Sequence, residues 1–137
     1  MTKLQPIAES CIYTLLHTDT LNAAMSGGGS GDAVENKVWV TGENLFNQAQ
    51  KNGRRMLIIF AAAEWGPPGL LYYATLTAVN SDKEKRKTSY RYCDLRKIPN
   101  APALSSLKKL SDHQPLSDNF IRPYCICRTP SFLIDAG

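Results

Sequence analysis

Stretches of apolar residues, and stretches in which apolar and polar residues alternate, divide the chain into short predicted elements. Residues 56–63 are apolar at every position, which predicts a central strand covered on both faces. Residues 70–79 and 88–95 each alternate and are joined by a polar segment, which predicts a long antiparallel hairpin. Shorter apolar stretches predict further strands at residues 10–17, 37–40 and 121–127.

Helical spacing of apolar residues predicts a helix that begins near Thr41 and ends at Gly53. Thr41 is suited to cap this helix, and Glu43 in the first turn interacts favourably with the helix dipole. Residues 103–110 follow Pro102, a residue type common in the first turn of a helix, and predict a second helix. Shorter helices are predicted at residues 20–25 and 131–135.

The order of these elements predicts the fold class. Strands outnumber helices, and the helices do not alternate regularly with the strands, which argues against a doubly wound parallel sheet. We predict an α+β fold: a small mixed, mainly antiparallel sheet that closes toward a β-barrel, with short helices. The length of 137 residues fits a single domain over residues 1–137. Residues 26–32 are rich in Gly and Ser, and we expect them to form a flexible loop.

Composition excludes several classes of protein. Hydrophobic residues make up 43% of the chain and charged residues 20%, which is typical of a globular protein rather than a disordered one. No apolar run approaches the roughly 18 residues that span a bilayer. The N-terminal residues show no signal peptide. We therefore expect a cytoplasmic protein with no membrane partner.

The four cysteines and two histidines show no motif for metal binding or catalysis. Cys125 and Cys127 lie two residues apart, so on a strand they share one face as small apolar side chains. Paired Cys-x2–4-Cys knuckles are absent, and neither His17 nor His113 has a Ser or Cys partner at a catalytic spacing. We predict no cofactor, no metal site and no catalytic residues. A zinc site built from scattered cysteines and these histidines stays open as an alternative.

Charge is unevenly distributed along the chain. The net charge is +4, but residues 83–109 contain nine basic and two acidic residues and carry +7. A basic segment beside a remainder of −3 attracts a polyanion, so we predict DNA or RNA as the partner. The predicted phosphate contacts are four cations of the hairpin turn: Lys83, Lys85, Arg86 and Lys87. The alternative is a solvated turn with no ligand.

Residues 37–79 carry a resemblance to a known family. A helix that ends at Gly53, the buried strand at 56–63, a Gly/Pro-rich loop and the long strand at 70–79 follow one another. This succession resembles the PUA-like superfamily, in particular its EVE and ASCH members. The resemblance implies a PUA-like domain in which a strand lines a pocket for a nucleobase. The ASCH group usually opens its helix with a lysine that residues 41–44 lack, which argues against the amidohydrolase activity of some ASCH members.

A site for a flipped or single-stranded base requires aromatic faces for stacking and fixed polar groups for the base edge. The predicted base-binding residues combine these two chemistries: Trp39, Thr41, Asn44, Trp65, Asn119, Arg122 and Tyr124. Most have structural alternatives, which are core packing for Trp39, a loop anchor for Trp65, helix capping for Thr41 and Asn44, and a turn contact with Asp118 for Arg122.

These observations favour a nucleic-acid-binding module that recognises a modified or flipped base in a tryptophan-lined pocket. Two other classes of function stay open. One is an ASCH-like amidohydrolase acting on a modified nucleoside, for which the local candidates are Thr41, Glu43 and Glu64. The other is a protein-interaction domain that binds its partner along a sheet edge, in which case the basic charge is incidental.

Overall fold

Six strands form one mixed sheet in the computed structural model, which describes residues 6–62, 69–100, 102–116 and 124–136. The strands are β1 (Ser10–Leu16), β2 (Gly31–Glu35), β3 (Leu57–Ala62), β4 (Leu70–Asp82), β5 (Lys87–Lys97) and β6 (Tyr124–Arg128). The helices of these residues are α1 (Thr18–Ser26), α2 (Val40–Lys51) and α3 (Ser131–Ala136), with a 3₁₀ turn at Leu104–Ser106. The predicted α+β class, with a mixed sheet and short helices, is confirmed.

The strands lie in the order β2-β5-β4-β3-β1-β6. β1 and β3 are parallel, and the chain between them passes through α1, β2 and α2. The other neighbouring pairs are antiparallel, including the long hairpin of β4 and β5. The sheet is therefore mainly antiparallel, and the predicted hairpin is confirmed.

Both faces of the sheet are covered at β6, β1 and β3. The inner face packs against α1 and α2 in a buried cluster that includes Ile12, Leu21, Phe46, Ile58 and Phe60. The outer face packs against residues 104–116 and α3 in a second cluster that includes Tyr13, Ile59, Leu104, Leu116 and Leu133. The apolar run of residues 56–63 is explained by this double cover, because both sides of β3 face a core.

The C-terminal half of β4, together with β5 and β2, has a different pattern of burial, with one face covered. Thr88, Tyr90 and Tyr92 are buried on the inner face, whereas Ser89 and Arg91 between them are exposed. β2 pairs with β5 so that Asp32 lies opposite Arg91 and Val34 opposite Ser89. We call the exposed outward side chains of residues 31–35, 76–80 and 88–92 the open face: Asp32, Val34, Thr77, Asn80, Ser89 and Arg91.

The sheet is strongly curled toward its inner face. Thr14 Oγ1 of β1 donates a hydrogen bond to Glu35 Oε1 of β2 at 3.5 Å, although β1 and β2 are four places apart in the strand order. Four strand spacings in a flat sheet would separate them by about 19 Å. Among the described residues, β2 and β6 end the strand order and do not pair with each other, so the curled sheet is open.

The strand predicted at residues 37–40 is wrong, because α2 already begins at Val40. The preceding segment is attached to the hairpin through one hydroxyl: Trp39 N–H donates to Thr88 Oγ1 at 2.9 Å, and Thr88 Oγ1 donates to Lys37 O at 2.7 Å. The residue that precedes the helix is Trp39 rather than Thr41, and its side chain forms no capping hydrogen bond. The predicted capping role of Thr41 is therefore wrong as well.

The glycine-rich stretch is shorter as a loop than expected. α1 extends to Ser26 and β2 begins at Gly31, so residues 27–30 connect them. Gly31 allows close packing rather than flexibility, because a Cβ there would lie 2.5 Å from the hydroxyl oxygen of Tyr92. The backbone of the connection is also held, since Leu95 N–H donates to Gly29 O at 3.0 Å.

The helix predicted at residues 103–110 is wrong, because only the 3₁₀ turn at Leu104–Ser106 forms there. Beyond it the backbone pairs with β6: Leu110 N–H donates to Ile126 O at 3.0 Å, and Arg128 N–H donates to Lys108 O at 2.9 Å. Pairing with a strand edge satisfies the backbone groups that a helix would satisfy internally. The tertiary contact therefore overrides the helical spacing of Leu104, Leu107 and Leu110 in the sequence. The predicted helices at 20–25 and 131–135 are confirmed as α1 and α3.

Candidate nucleic-acid interface

The turn between β4 and β5 carries the four predicted phosphate contacts. All four are exposed, and we call them the hairpin tip: Lys83, Lys85, Arg86 and Lys87. The carboxylate of Asp82 organises the turn, since its Oδ1 accepts hydrogen bonds from the N–H groups of Glu84 at 3.1 Å and Lys85 at 3.2 Å. Between pairs of described residues, the ion pair joins Arg96 to Asp94, and no tip cation is paired with a described carboxylate.

Arg86 adopts a backbone conformation that is unfavourable for residues other than glycine. Its φ angle of 54° lies in the left-handed region, which costs a non-glycine residue about 1–2 kcal/mol. Glycine or asparagine is the usual residue at such a turn position. The turn therefore presents a guanidinium at the position where glycine would be the more stable choice.

Two further cations lie along β5 on the outward side of the hairpin. The alternation of the strand buries Tyr90 and Tyr92 and leaves Arg91 exposed on the open face. Arg96 lies opposite Tyr73, which belongs to the outer core cluster. Arg96 lies nine positions after Lys87, so the outward cations of β5 extend over about 30 Å.

Arg96 faces outward because of a β-bulge. The register with β4 shifts between the pairs Thr75–Cys93 and Tyr73–Arg96, and Asp94 within the bulge has a φ angle of 56°. Without the extra residue, position 96 would share the inward face of Tyr90 and Tyr92. The bulge instead buries Leu95 on the inner face, and Arg96 Nε donates to Asp94 Oδ1 at 3.2 Å. The Asp94 carboxylate, and more weakly Tyr73, raises the pKa of Arg96.

Trp39 forms the centre of an aromatic stack on the inner face. Its ring lies 5.0 Å from that of Tyr90 and 4.8 Å from that of Tyr124, measured between centroids, and both pairs are nearly parallel. Trp39 is 0% exposed. Tyr124 is fixed in turn, because its hydroxyl accepts a hydrogen bond from Gly42 N–H at 2.9 Å and Lys37 Nζ lies 5.6 Å from its ring centroid. Both faces of the indole are occupied, so Trp39 offers no free face to a base.

The other predicted base-binding residues do not join this stack within the described residues. Thr41 and Asn44 are exposed on α2. Trp65, Asn119 and Arg122 lie outside the described residues. Of the seven predicted residues, the structure brings Trp39 and Tyr124 together, and it does so as a packing contact.

A polar cluster lies beside the stack where the curled sheet brings β1 and β2 together. Burial raises the pKa of Glu35, and the hydrogen bond from Thr14 partly opposes that rise. Burial also raises the pKa of Tyr90, with a further contribution from the Glu35 carboxylate. The Tyr90 hydroxyl and Trp39 Nε1 are buried and have no hydrogen-bond partner among the described residues.

Of the three candidate residues for an amidohydrolase, Thr41 is exposed on α2 and Glu64 lies outside the described residues. Glu43 Oε2 accepts a hydrogen bond from Ser81 N–H at 3.1 Å, which gives this carboxylate a structural role between α2 and β4. Cys11 and Cys127 lie opposite each other on β1 and β6 as free thiols. Burial raises the pKa of Cys11 to about 12, so the thiol is protonated and unreactive at neutral pH. No cluster of metal-ligating side chains occurs in the part of the chain that the structure describes.

Comparison with protein-family models and with curated proteins finds no match. Within the described residues, no helix combines the length and apolar character needed to cross a bilayer. The hairpin presents more outward cations than the sequence predicted. Two of its cations, Arg91 and Arg96, were not among the predicted phosphate contacts. The alternation of residues 88–95 indicates the outward position of Arg91, but the bulge that turns Arg96 outward has no signal in the pattern.

Proposed function

We propose that this protein binds nucleic acid along the β4–β5 hairpin. The observation that carries the proposal is the line of outward cations from the hairpin tip through Arg91 to Arg96. The tip cations are exposed and make no ion pair among the described residues. Lysine and arginine in this state gain free energy from phosphate contacts chiefly by releasing the counterions condensed on the nucleic acid.

The proposal includes a fold of the PUA-like type, which the resemblance of residues 37–79 implies. Two features support it: α2 precedes the buried strand β3 along the chain, and the sheet curls around Trp39. Recognition of a modified or flipped base by Trp65, Asn119 and Arg122 stays a prediction, because these residues lie outside the described ones.

A protein-interaction function is the second candidate, and one observation favours it. Val34 is 62% exposed on β2, which ends the strand order of the sheet. An exposed apolar residue on an outer strand suits pairing with a strand of a partner protein. A stable protein partner recovered after nuclease treatment would support this function over the first.

Binding is tested by fluorescence anisotropy with labelled DNA and RNA over a range of salt concentrations. Replacing Lys85 and Arg86 with alanine should weaken binding to all sequences alike. It should also lower the slope of log affinity against log salt by about 1.4–1.8, which corresponds to two phosphate contacts. Lys51→Ala with Arg54→Ala is the matched control, because both residues are exposed cations away from the hairpin. No binding by the unmodified protein at about 50 mM salt contradicts the proposal.

Arg86→Gly separates the binding role of this side chain from its effect on stability. Glycine relieves the left-handed strain at φ 54°, so we expect the free energy of unfolding to rise by about 0.5–1 kcal/mol in spite of the greater entropy of the unfolded chain. Affinity for nucleic acid should fall, because a phosphate contact is lost. Urea unfolding and anisotropy measure the two effects. A variant that is more stable and binds as tightly as the unmodified protein removes Arg86 from the interface.

A further inference from the structure

A cavity of about 630 Å³ lies on the outer side of the sheet, where β5 ends and α3 begins. Its volume falls within the range of small-molecule sites. The described lining includes apolar groups from three parts of the chain, namely Tyr73 of β4, Ile98 and Pro99 after β5, and Phe132 and Leu133 of α3. Tyr73, Ile98 and Leu133 are buried in the outer core, so this wall is anchored.

Phe132 supplies an accessible aromatic ring to the cavity. It is 39% exposed, whereas its neighbour Leu133 is 1% exposed and holds α3 against the sheet. An exposed aromatic ring beside a cavity is suited to stacking on a flat ligand.

Arg96 and Lys97 are the cations that line the cavity, and the bulge determines the position of Arg96. The extra residue of the bulge turns Arg96 from the inner to the outer face, where it lines the cavity opposite Tyr73. Its Nε is held by Asp94, and its side chain is still 55% exposed. The two terminal nitrogens of a guanidinium held through Nε remain suited to a bidentate contact with phosphate. Asp94, in the left-handed backbone conformation, is therefore a site of backbone strain within the bulge that positions Arg96.

The cavity combines an aromatic and apolar wall with an oriented cation, and it lies at the end of the cation line on β5. We propose that it receives a nucleobase of a single-stranded nucleic acid, which stacks on Phe132 while Arg96 holds the adjacent phosphate. The inference rests on the proposed function and assigns base binding to residues other than the predicted tryptophan pocket. A cavity that contacts one unpaired base favours single strands, because a base within a duplex is stacked and paired.

The experiment compares a labelled single-stranded DNA of about 12 nucleotides with an abasic strand of the same length. Both strands carry the same phosphates, so their difference reports on base contacts. We expect the unmodified protein to bind the base-containing strand about five- to tenfold more tightly. Phe132→Ala should remove that difference and leave affinity for the abasic strand unchanged. Met25→Ala is the matched control, because Met25 is 40% exposed on α1, away from the cavity.

The two proposals fail in different ways. If the unmodified protein binds neither strand at about 50 mM salt, nucleic-acid binding itself is wrong, and base binding in the cavity is wrong with it. If it binds both strands equally, or if Phe132→Ala preserves the preference for bases, only the assignment of the cavity is wrong. Unfolding curves of Phe132→Ala and Met25→Ala verify that both variants fold, and Phe132→Ser serves as a second substitution at the cavity.

Discussion

The two halves of the sheet differ in how many of their faces are covered. The half formed by β6, β1 and β3 has a core on both sides, and Leu57–Ala61 of β3 are all buried. The other half consists of β2, β5 and the C-terminal part of β4. Its inner side is buried, and its outer side is exposed to solvent. The difference determines where charge is tolerated, because an ion buried without a partner costs several kcal/mol whereas an exposed ion costs almost nothing.

The proposed interface follows from this difference. The hairpin tip and Arg91 lie in the half with one covered face, and Arg96 lies at the boundary where the outer cover begins. Their side chains face solvent, while the opposite side of β5 contributes Tyr90 and Tyr92 to the inner core. One strand therefore stabilises the fold on one side and presents cations on the other.

Substitutions on the outer side of the two halves should differ most in their effect on stability. Ile59→Ala removes a buried side chain from β3 on the outer face, so we expect the free energy of unfolding to fall by about 2–5 kcal/mol. Ser89→Ala on the open face should change it by less than about 0.5 kcal/mol. Urea unfolding measures both. Equal losses for the two variants would mean that the open face is covered in solution.

Gly31→Ala should have an intermediate effect on the free energy of unfolding. Gly31 lies on β2, the outermost strand of the half with one covered face. The added Cβ would lie 2.5 Å from the hydroxyl oxygen of Tyr92, and the ring of Tyr92 is buried and cannot move freely. Overpacking of this kind costs about 1–3 kcal/mol. Ser30→Ala, one residue earlier and exposed, is the control for unfolding by urea. A stability equal to that of the unmodified protein would indicate that β2 is not packed against β5 as described.

Glu35 connects the two halves, and its ionisation should have the smallest effect. Burial raises its pKa above the usual value of 4.5, so the folded state binds this proton more tightly than the unfolded state does. Its contribution to stability is therefore greatest below pH 4.5 and is lost as the pH rises through the folded pKa.

Glu35→Gln keeps an oxygen that accepts from Thr14 and removes the ionisation. We expect the variant to lose less stability than the unmodified protein as the pH rises from about 4 to 7, measured as the free energy of unfolding in urea. Glu84→Gln is the control, because Glu84 is an exposed carboxyl in the hairpin turn. If the free energy of unfolding depends on pH in the same way for the unmodified protein and Glu35→Gln, the carboxylate beside Thr14 is not buried.

Much of the architecture is predictable from local patterns. The apolar run at 56–63 and the alternation of 70–79 and 88–95 identify β3 and the hairpin. A strand buried on both faces is apolar at every position, and a strand buried on one face alternates apolar and polar residues. The exposed hairpin tip is predictable for the same reason, since a run of charges between two strands has no core to enter. The spacing of Phe46 and Ala49 likewise marks the buried side of α2.

Other features depend on contacts between residues that are distant in the chain. Trp39 lies between Tyr90 and Tyr124 because the curled sheet brings β5 and β6 to either side of it. Lys108 and Leu110 pair with β6 rather than form a helix, because the edge of β6 supplies hydrogen bonds to Lys108 O and Leu110 N–H. The seven predicted base-binding residues thus include one whose aromatic faces are already occupied.

The sequence by itself determined that the protein has a buried central strand, an amphipathic hairpin and a basic turn. Each of these depends on whether residues close together in the chain are buried or exposed to water. Only the tertiary structure decided which face Arg96 occupies, because a one-residue bulge at Asp94 reverses the alternation of β5. It also decided that Phe132 and Arg96 line one cavity, although 36 positions separate them in the chain. Periodicity reports which side of an element meets water, whereas register and curvature determine which elements meet each other.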